Sequence, residues 1–284
     1  MTLNIKIVKP YLHLMRLDRP IGTLLLLWPT LIALWLASNG HPDTKLIVIF
    51  VLGVILMRAA GCVFNDYADR DFDPFVSRTK ARPLATGVVK PKQAMLLFSC
   101  LMAGGLALAL HLSRNTIVLA FVGAILILIY PFAKRFTSYP QLILGLAFAW
   151  GIPMAYMEVQ GGIPLETWLL YSSVLFWVVA YDTQYAMVDK TDDLRIGIKS
   201  TAITFGNYDK AIILGLHLLM LTGMLLIGIG RNLGNTYFIG LIITLGLVIY
   251  QQILIKDRNP KNCFKAFLNN NYIGAIIFCS LILR

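Results

Sequence analysis

The sequence predicts an all-α membrane protein: a bundle of nine transmembrane helices with cytoplasmic cap loops and a cytoplasmic N-terminus. Three observations carry this expectation. The chain of 284 residues is 58% hydrophobic and only 14% charged, with a mean hydropathy of +0.72, whereas a soluble domain is about a quarter charged. Its apolar residues gather into runs near the ~20 that a helix needs to cross the hydrocarbon core. Its basic residues are sorted onto alternate loops, the pattern that marks the cytoplasmic side of a membrane.

The N-terminal stretch MTLNIKIVKPYLHLMRLDRP is polar and basic, and the first apolar run continues as a full span, so no cleavable signal peptide is expected. Within it, YLHLMRLDR has the pattern of a short amphipathic helix lying along the interface. Spans follow near 21–38, 46–64, 94–112, 115–133, 141–157, 167–186, 211–230, 236–255 and 267–283. Lys and Arg crowd the N-terminus and the loops after the second, fourth, sixth and eighth spans. The alternate loops hold only Lys45, Arg114 and Arg231, with Arg284 at the far end. The net charge of +11 therefore reads as topology and as affinity for an anionic membrane lipid or anionic substrate, not as a nucleic-acid footprint. Residues 1–284 make one domain.

The second and sixth spans end in acids. Asn65, Asp66, Asp69, Asp71 and Asp73 follow one, and Asp182, Asp189, Asp192 and Asp193 sit at the end of the other. The pairs 69/73 and 189/193 are 120 residues apart and share the order Asp-basic-x-x-Asp, which suggests an internal duplication. At 100° per residue, Asn65, Asp69 and Asp73 fall within about 80° of arc, and Asp182, Asp189 and Asp193 within about 40°. Asp66 falls off the first face, while Arg58 and Ala186 fall on the two faces. Like charges stacked this way repel one another at the helix end that already favours cations. Two facing acidic stripes therefore call for a divalent cation. The ligand types are Asp and Asn; the cysteines (Cys62, Cys100, Cys263, Cys279) form no CxxC pair, and the histidines are scattered. That oxygen-only set fits Mg²⁺ and argues against zinc or copper. Around the stripes stand Arg70, Arg78, Lys80, Arg82, Lys190, Arg195 and Lys199, a setting for a diphosphate held by metal and by basic side chains. No phosphate-loop GKS or GKT is present. A cation-coupled transporter is the alternative from another class, although its acids would lie near the midplane.

Asn65-Asp66-x-x-Asp69-x-x-x-Asp73 and Asp182-x-x-Tyr185-Ala186-x-x-Asp189-x-x-x-Asp193 resemble the two signatures of the UbiA-type membrane prenyltransferases. LMRLDRPIGTLLLLWPT, YPFAKRFTSYPQ and YDTQYAMVDKTDDLRIGIKSTA resemble the branch that prenylates 4-hydroxybenzoate in bacterial ubiquinone synthesis. The resemblance implies a nine-helix bundle in the bacterial inner membrane with its site facing the cytoplasm. It implies Mg²⁺ held by Asn65, Asp69, Asp73, Asp182, Asp189 and Asp193, of which Asp69, Asp73, Asp189 and Asp193 are the catalytic candidates. Polyprenyl diphosphate would be the donor and the ring carbon ortho to the hydroxyl of 4-hydroxybenzoate the acceptor. The same signatures leave haem, a naphthoate or a chlorophyll precursor open as acceptors. Arg70, Arg78, Lys80, Arg82, Lys190 and Lys199 are diphosphate candidates. Arg58, Arg135 and Tyr185 are acceptor candidates, with Arg58 favoured physically because an arginine within a span is costly unless it has a task. Arg16 and Arg19 are read as interfacial anchors.

Overall fold

The computed structural model describes residues 5–283, with side chains from residue 8 onward; Arg284 lies outside the described residues. Twelve α-helices follow one another: α1 (Ile5–Leu14), α2 (Ile21–Ala37), α3 (Thr44–Asp69), α4 (Pro91–Ala109), α5 (Arg114–Phe136), α6 (Pro140–Ala149), α7 (Gly151–Gln160), α8 (Leu165–Ile196), α9 (Thr201–Thr204), α10 (Asp209–Gly230), α11 (Asn235–Leu254) and α12 (Pro260–Ile282). Two 3₁₀ turns, Asp73–Phe75 and Gly206–Tyr208, complete the described secondary structure, which contains no strand. The helix starts are written locally. The Asp43 and Asn259 carboxylate and amide oxygens accept from the backbone N–H of Lys45 and Lys261, and proline occupies the first turn of α4, α6 and α12. α8 stops at Gly197, whose φ of +72° suits a residue without a side chain.

Six helical segments among the described residues are long and apolar enough to cross a membrane: 44–69, 91–109, 114–136, 140–160, 206–230 and 235–254. Their outward faces are apolar, with Phe121, Ile125 and Ile129 on α5 and Ile242, Ile249 and Ile253 on α11 all exposed. Such faces want lipid, and the chain is an integral membrane protein. The three other predicted spans coincide with helices of a different character. α2 has only 17 residues, while α8 and α12 carry polar residues that bond inside the bundle.

Two local expectations are corrected and a third is refined. The helix foreseen across 11–19 ends at Leu14, and Arg16 turns the chain with φ +58°. The span foreseen near 141–157 stands as one crossing segment, 140–160, but its helix is interrupted at Trp150. Proline at 153 has no N–H for the Ala149 carbonyl, and its ring crowds that oxygen. The first acidic stripe is not one helix either: α3 ends at Asp69, and Asp73 opens a separate 3₁₀ turn. A helix through Pro74 would drive the ring into the carbonyl of Arg70, so the chain turns there.

α8 runs through the middle of the bundle. Val174, Trp177 and Val178 pack with Leu34 of α2, Ile152 of α7, Met220 of α10 and Ile277 of α12 in one core. Amides cross-link α8, α11 and α12. The Trp177 Nε1–H donates to Asn270 Oδ1 (2.9 Å), Asn270 Nδ2 to Gln184 Oε1 (2.9 Å), Gln184 Nε2 to Gln251 Oε1 (2.8 Å) and Gln251 Nε2 to Asn269 Oδ1 (2.9 Å). Between lipid-facing helices, where hydrophobicity gives little drive to associate, such bonds fix partners.

Asp209, at the start of α10 and fully buried, ties the acid-bearing end of α8 to the rest. It accepts from Arg258 Nε (2.9 Å) and Nη2 (2.8 Å), and Lys190 Nζ lies 3.8 Å away. Asp209→Ala strands both cations. Breaking a buried pair costs ~3–5 kcal/mol, and because Arg258 is 34% exposed a loss of about 2 kcal/mol is expected. A thermal melt in detergent should show the midpoint falling by several degrees.

Candidate active site

Three acids of α8, Asp182, Asp189 and Asp193, share one face of a continuous helix and line one cavity. Asp182, Tyr185, Ala186, Asp189 and Asp193 face Asn65 of α3, Tyr130 and Lys134 of α5, Gln141 of α6, and Lys199 and Ser200 of the segment after α8, around a space of about 110 Å³. The end of α3 approaches from the other side. Asp69 is buried, accepts from Lys134 Nζ through Oδ2, and leaves Oδ1 buried with no hydrogen-bond partner. Arg82 bridges Asp66 (3.0 Å) and Asp73 (2.9 Å), and Arg16 closes on Asp66 at 2.8 Å. Arg78 reaches across to Asp189 through Nε at 3.0 Å, with its guanidinium 4.5 Å above the Tyr185 ring. The Ser77 N–H donates to Asp192 at 2.9 Å. The 70–90 loop is thereby strapped over the end of α8.

The charges here are held under tension. Burial first, and Asp189 second, push the Asp193 carboxyl up to about 7. Burial likewise raises Asp73, against the pull of Arg82. Asp192 goes the other way, lowered by the Ser77 N–H. Among the described residues no three His, Cys, Asp or Glu side chains meet as a ready metal cluster. Each acid of the α3 end instead leans on an Arg or Lys, and so does Asp189. The donors still fit a hard divalent cation. They are oxygens only, and Asp69 Oδ1 is buried with no partner.

The remaining predicted residues are placed as follows. Lys199 lines the cavity. Arg70 caps α3, donating to the Tyr67 carbonyl (2.8 Å) and lying 3.5 Å from Asp71. Lys80 is exposed in the loop, Lys190 faces Asp209, and Arg195 lies 3.9 Å from Asp192. Arg135 donates to the Ala68 carbonyl, with its guanidinium 5.1 Å from the rings of Phe72 and Phe132. Arg58 lies 5.4 Å from the Phe148 ring, has its Nε buried without a partner, and is near enough to Asp182 to act on its charge. Gly22 makes room for it: a Cβ there would sit 2.4 Å from Arg58 Nη2 and 2.7 Å from Nε. Sequence reasoning missed Tyr130, Lys134 and Gln141. The first two stand four residues apart on α5, one face of a helix, and that spacing inside YPFAKRF was the available signal.

A second, almost wholly apolar cavity of about 340 Å³ opens between α2, α3, α4, α5, α6 and α7, lined by residues such as Phe50, Gly53, Met57, Ala120, Gly123 and Ala147.

The protein is a helical membrane bundle with carboxylates, an amide and amines converging on one cavity and a separate apolar cavity between its helices. The chain belongs to the UbiA prenyltransferase family, whose model matches residues 26–280. It is 54% identical over 283 residues to a 4-hydroxybenzoate octaprenyltransferase of Nitrosospira multiformis, covering 100% of this chain and 97% of that protein. It is 56% identical over 272 residues to a protein of the same description from Pasteurella multocida, covering 96% and 94%. In fold it is similar to the apo structure of a UbiA homolog from Aeropyrum pernix K1 (TM-score 0.83, 24% identity, 93% of this chain and 98% of that one). It is also similar in fold to a UbiA homolog from Archaeoglobus fulgidus bound to GPP and Mg²⁺ (TM-score 0.75, 17% identity, 97% and 100%).

Proposed function

We propose that this protein transfers a polyprenyl chain from its diphosphate to the ring carbon ortho to the hydroxyl of 4-hydroxybenzoate, using Mg²⁺, at the cytoplasmic face of a bacterial inner membrane. The observation that carries the reading is the convergence of Asn65, Asp182, Asp189, Asp193, Lys134 and Lys199 on one cavity, in a chain more than half identical along its length to enzymes of that description. The basic loops 70–90, 134–139 and 189–210 gather at this same end, which supports a cytoplasmic site and nine spans from a cytoplasmic N-terminus.

Asn65, Asp69, Asp73, Asp182, Asp189 and Asp193 would hold the metal. When bound, it neutralises the departing diphosphate and so favours ionisation of the allylic C–O bond. Arg78, Arg82, Lys134 and Lys199 donate to the phosphate oxygens. The first three now hold carboxylates, so the diphosphate enters by exchange of partners. Arg70, Lys80 and Lys190 contribute charge at the rim. The apolar cavity receives the prenyl chain nearest the reacting carbon, and its walls keep water from the allylic cation. Arg58 pairs with the acceptor's carboxylate, Tyr185 presents a ring face near the cation, and Arg135 holds the α3 end in place through Ala68. Electron density from the acceptor hydroxyl directs attack to the ortho carbon, and loss of the ring proton restores aromaticity.

Membranes holding the protein, a polyprenyl diphosphate and labelled 4-hydroxybenzoate should move label into extractable lipid with Mg²⁺ and not with EDTA. No label transfer from folded protein, alongside diphosphate release with another aromatic acceptor, would overturn the acceptor. Gly22→Ala gives a sharper test of Arg58. The added methyl overlaps the guanidinium, and displacement of a substrate-positioning group by 1 Å can cost ~100-fold. The KM for 4-hydroxybenzoate should rise roughly ten- to a hundredfold, with the KM for the diphosphate unchanged.

A further inference from the structure

We infer that Tyr181 is an acceptor-recognition residue: its phenol O–H is a second donor, beside Arg58, to the acceptor's carboxylate. The inference rests on the reading of Arg58 above.

Tyr181 lies on α8, 1% exposed, and its hydroxyl is buried without a hydrogen-bond partner. Buried phenols elsewhere in the bundle are paired. Tyr171 donates to the Leu146 carbonyl (3.0 Å), Tyr237 to the Met224 carbonyl (3.0 Å), and Tyr156 to Glu166. An orphaned buried hydroxyl forfeits its hydration with nothing in return, and one that persists needs a reason. Its ring cannot swing to find a partner, because Trp177 (5.7 Å, 87°) and Phe267 (6.0 Å, 62°) pack against it edge-on.

The second orphan is close by. Arg58 Nε is also buried and unpartnered, and the guanidinium lies within electrostatic range of Tyr181, Tyr130 and Tyr185. Tyr130, Tyr185 and Asp182, which adjoins Tyr181 in the chain, line the site cavity, so the two orphans stand just behind its wall. A guanidinium can only donate, and a phenol donates well. Two unspent donors within electrostatic range of each other, one cationic, are complementary to a group that only accepts and is negative. A carboxylate is such a group. A phosphate would satisfy the same donors, and the two substrates separate these sources.

Tyr181→Phe removes the hydroxyl and keeps the ring. In full-length protein in membranes, the KM for 4-hydroxybenzoate should rise roughly ten- to a hundredfold, the worth of a hydrogen bond to a charged group. The KM for the polyprenyl diphosphate should not move, and the melting temperature should be equal or higher, because an unsatisfied group has gone. A structural hydroxyl would do the reverse. An unchanged KM for 4-hydroxybenzoate, a raised KM for the diphosphate, or a lower melting temperature would overturn the assignment. Arg58→Ala runs beside it. If that variant raises the acceptor KM and Tyr181→Phe does not, Tyr181 alone is misassigned. If Arg58→Ala leaves the acceptor KM unmoved, the underlying reading of Arg58 falls.

Discussion

Asp69→Asn is expected to lower prenyl transfer by at least about a thousandfold while leaving a folded protein in the membrane. The substitution keeps the shape and one oxygen of the side chain and removes its charge. A metal ligand's share in stabilising a departing diphosphate is several kcal/mol, and each 1.36 kcal/mol is tenfold in rate. Folding should survive, because α3 is held by apolar packing along its length, with Ala59, Ala60 and Val63 buried. Asp189→Asn on α8 should behave alike, since Asp189 lines the cavity together with Lys134, the partner of Asp69, and faces Arg78. The measurement is label transfer at saturating substrates over a range of Mg²⁺. A shifted Mg²⁺ requirement with restored rate at high metal would identify a weakened ligand. Full activity in both variants at ordinary Mg²⁺ would remove the metal site from these residues.

What the chain disclosed about itself divides along physical lines. Apolar runs and loop charge are local properties, and each predicted span falls on a helix or helix pair. The face shared by Asp182, Asp189 and Asp193 was legible because α8 continues without a break to Ile196, so helical period alone sets their alignment. The same arithmetic misled on Asp73. Period was applied across Pro74, where the i−4 carbonyl rule should have stopped it. Asp66 was set aside because it leaves the α3 face, yet it is 1% exposed and held by Arg16 and Arg82. Those long side chains arrive from segments outside α3, and pairing of that kind is invisible to periodicity. The amide chain through Gln184, Gln251 and Asn270 is hidden for the same reason: each residue reads as an isolated polar in an apolar run until the helices are packed. The end of α6 at Ala149 was, by contrast, readable from Pro153.

Lys134 is the residue on which the proposed exchange of partners turns, and Lys134→Met is expected to produce effects of opposite sign at the two ligands. In the present structure the ammonium sits on Asp69 Oδ2, part of a carboxylate that the proposed metal would share. Cation and lysine therefore compete for one carboxylate, and removing the lysine should lower the Mg²⁺ concentration needed in the absence of substrate, by roughly tenfold if the competition is worth about 1.4 kcal/mol. The diphosphate meanwhile loses a charge-assisted donor, worth ~1.5–3 kcal/mol, so its KM should rise roughly tenfold or more. The KM for 4-hydroxybenzoate should stay where it is. Without metal the variant should also be less stable. Breaking a buried pair costs ~3–5 kcal/mol, and the lysine's 23% exposure brings the expected loss to about 2 kcal/mol, recoverable by adding Mg²⁺. A lysine that merely anchored the end of α5 would weaken both ligands together and gain nothing from the cation. Combining the change with Asp69→Asn closes a double-mutant cycle: the two losses of stability should sum to less than additive, because each removes half of one pair.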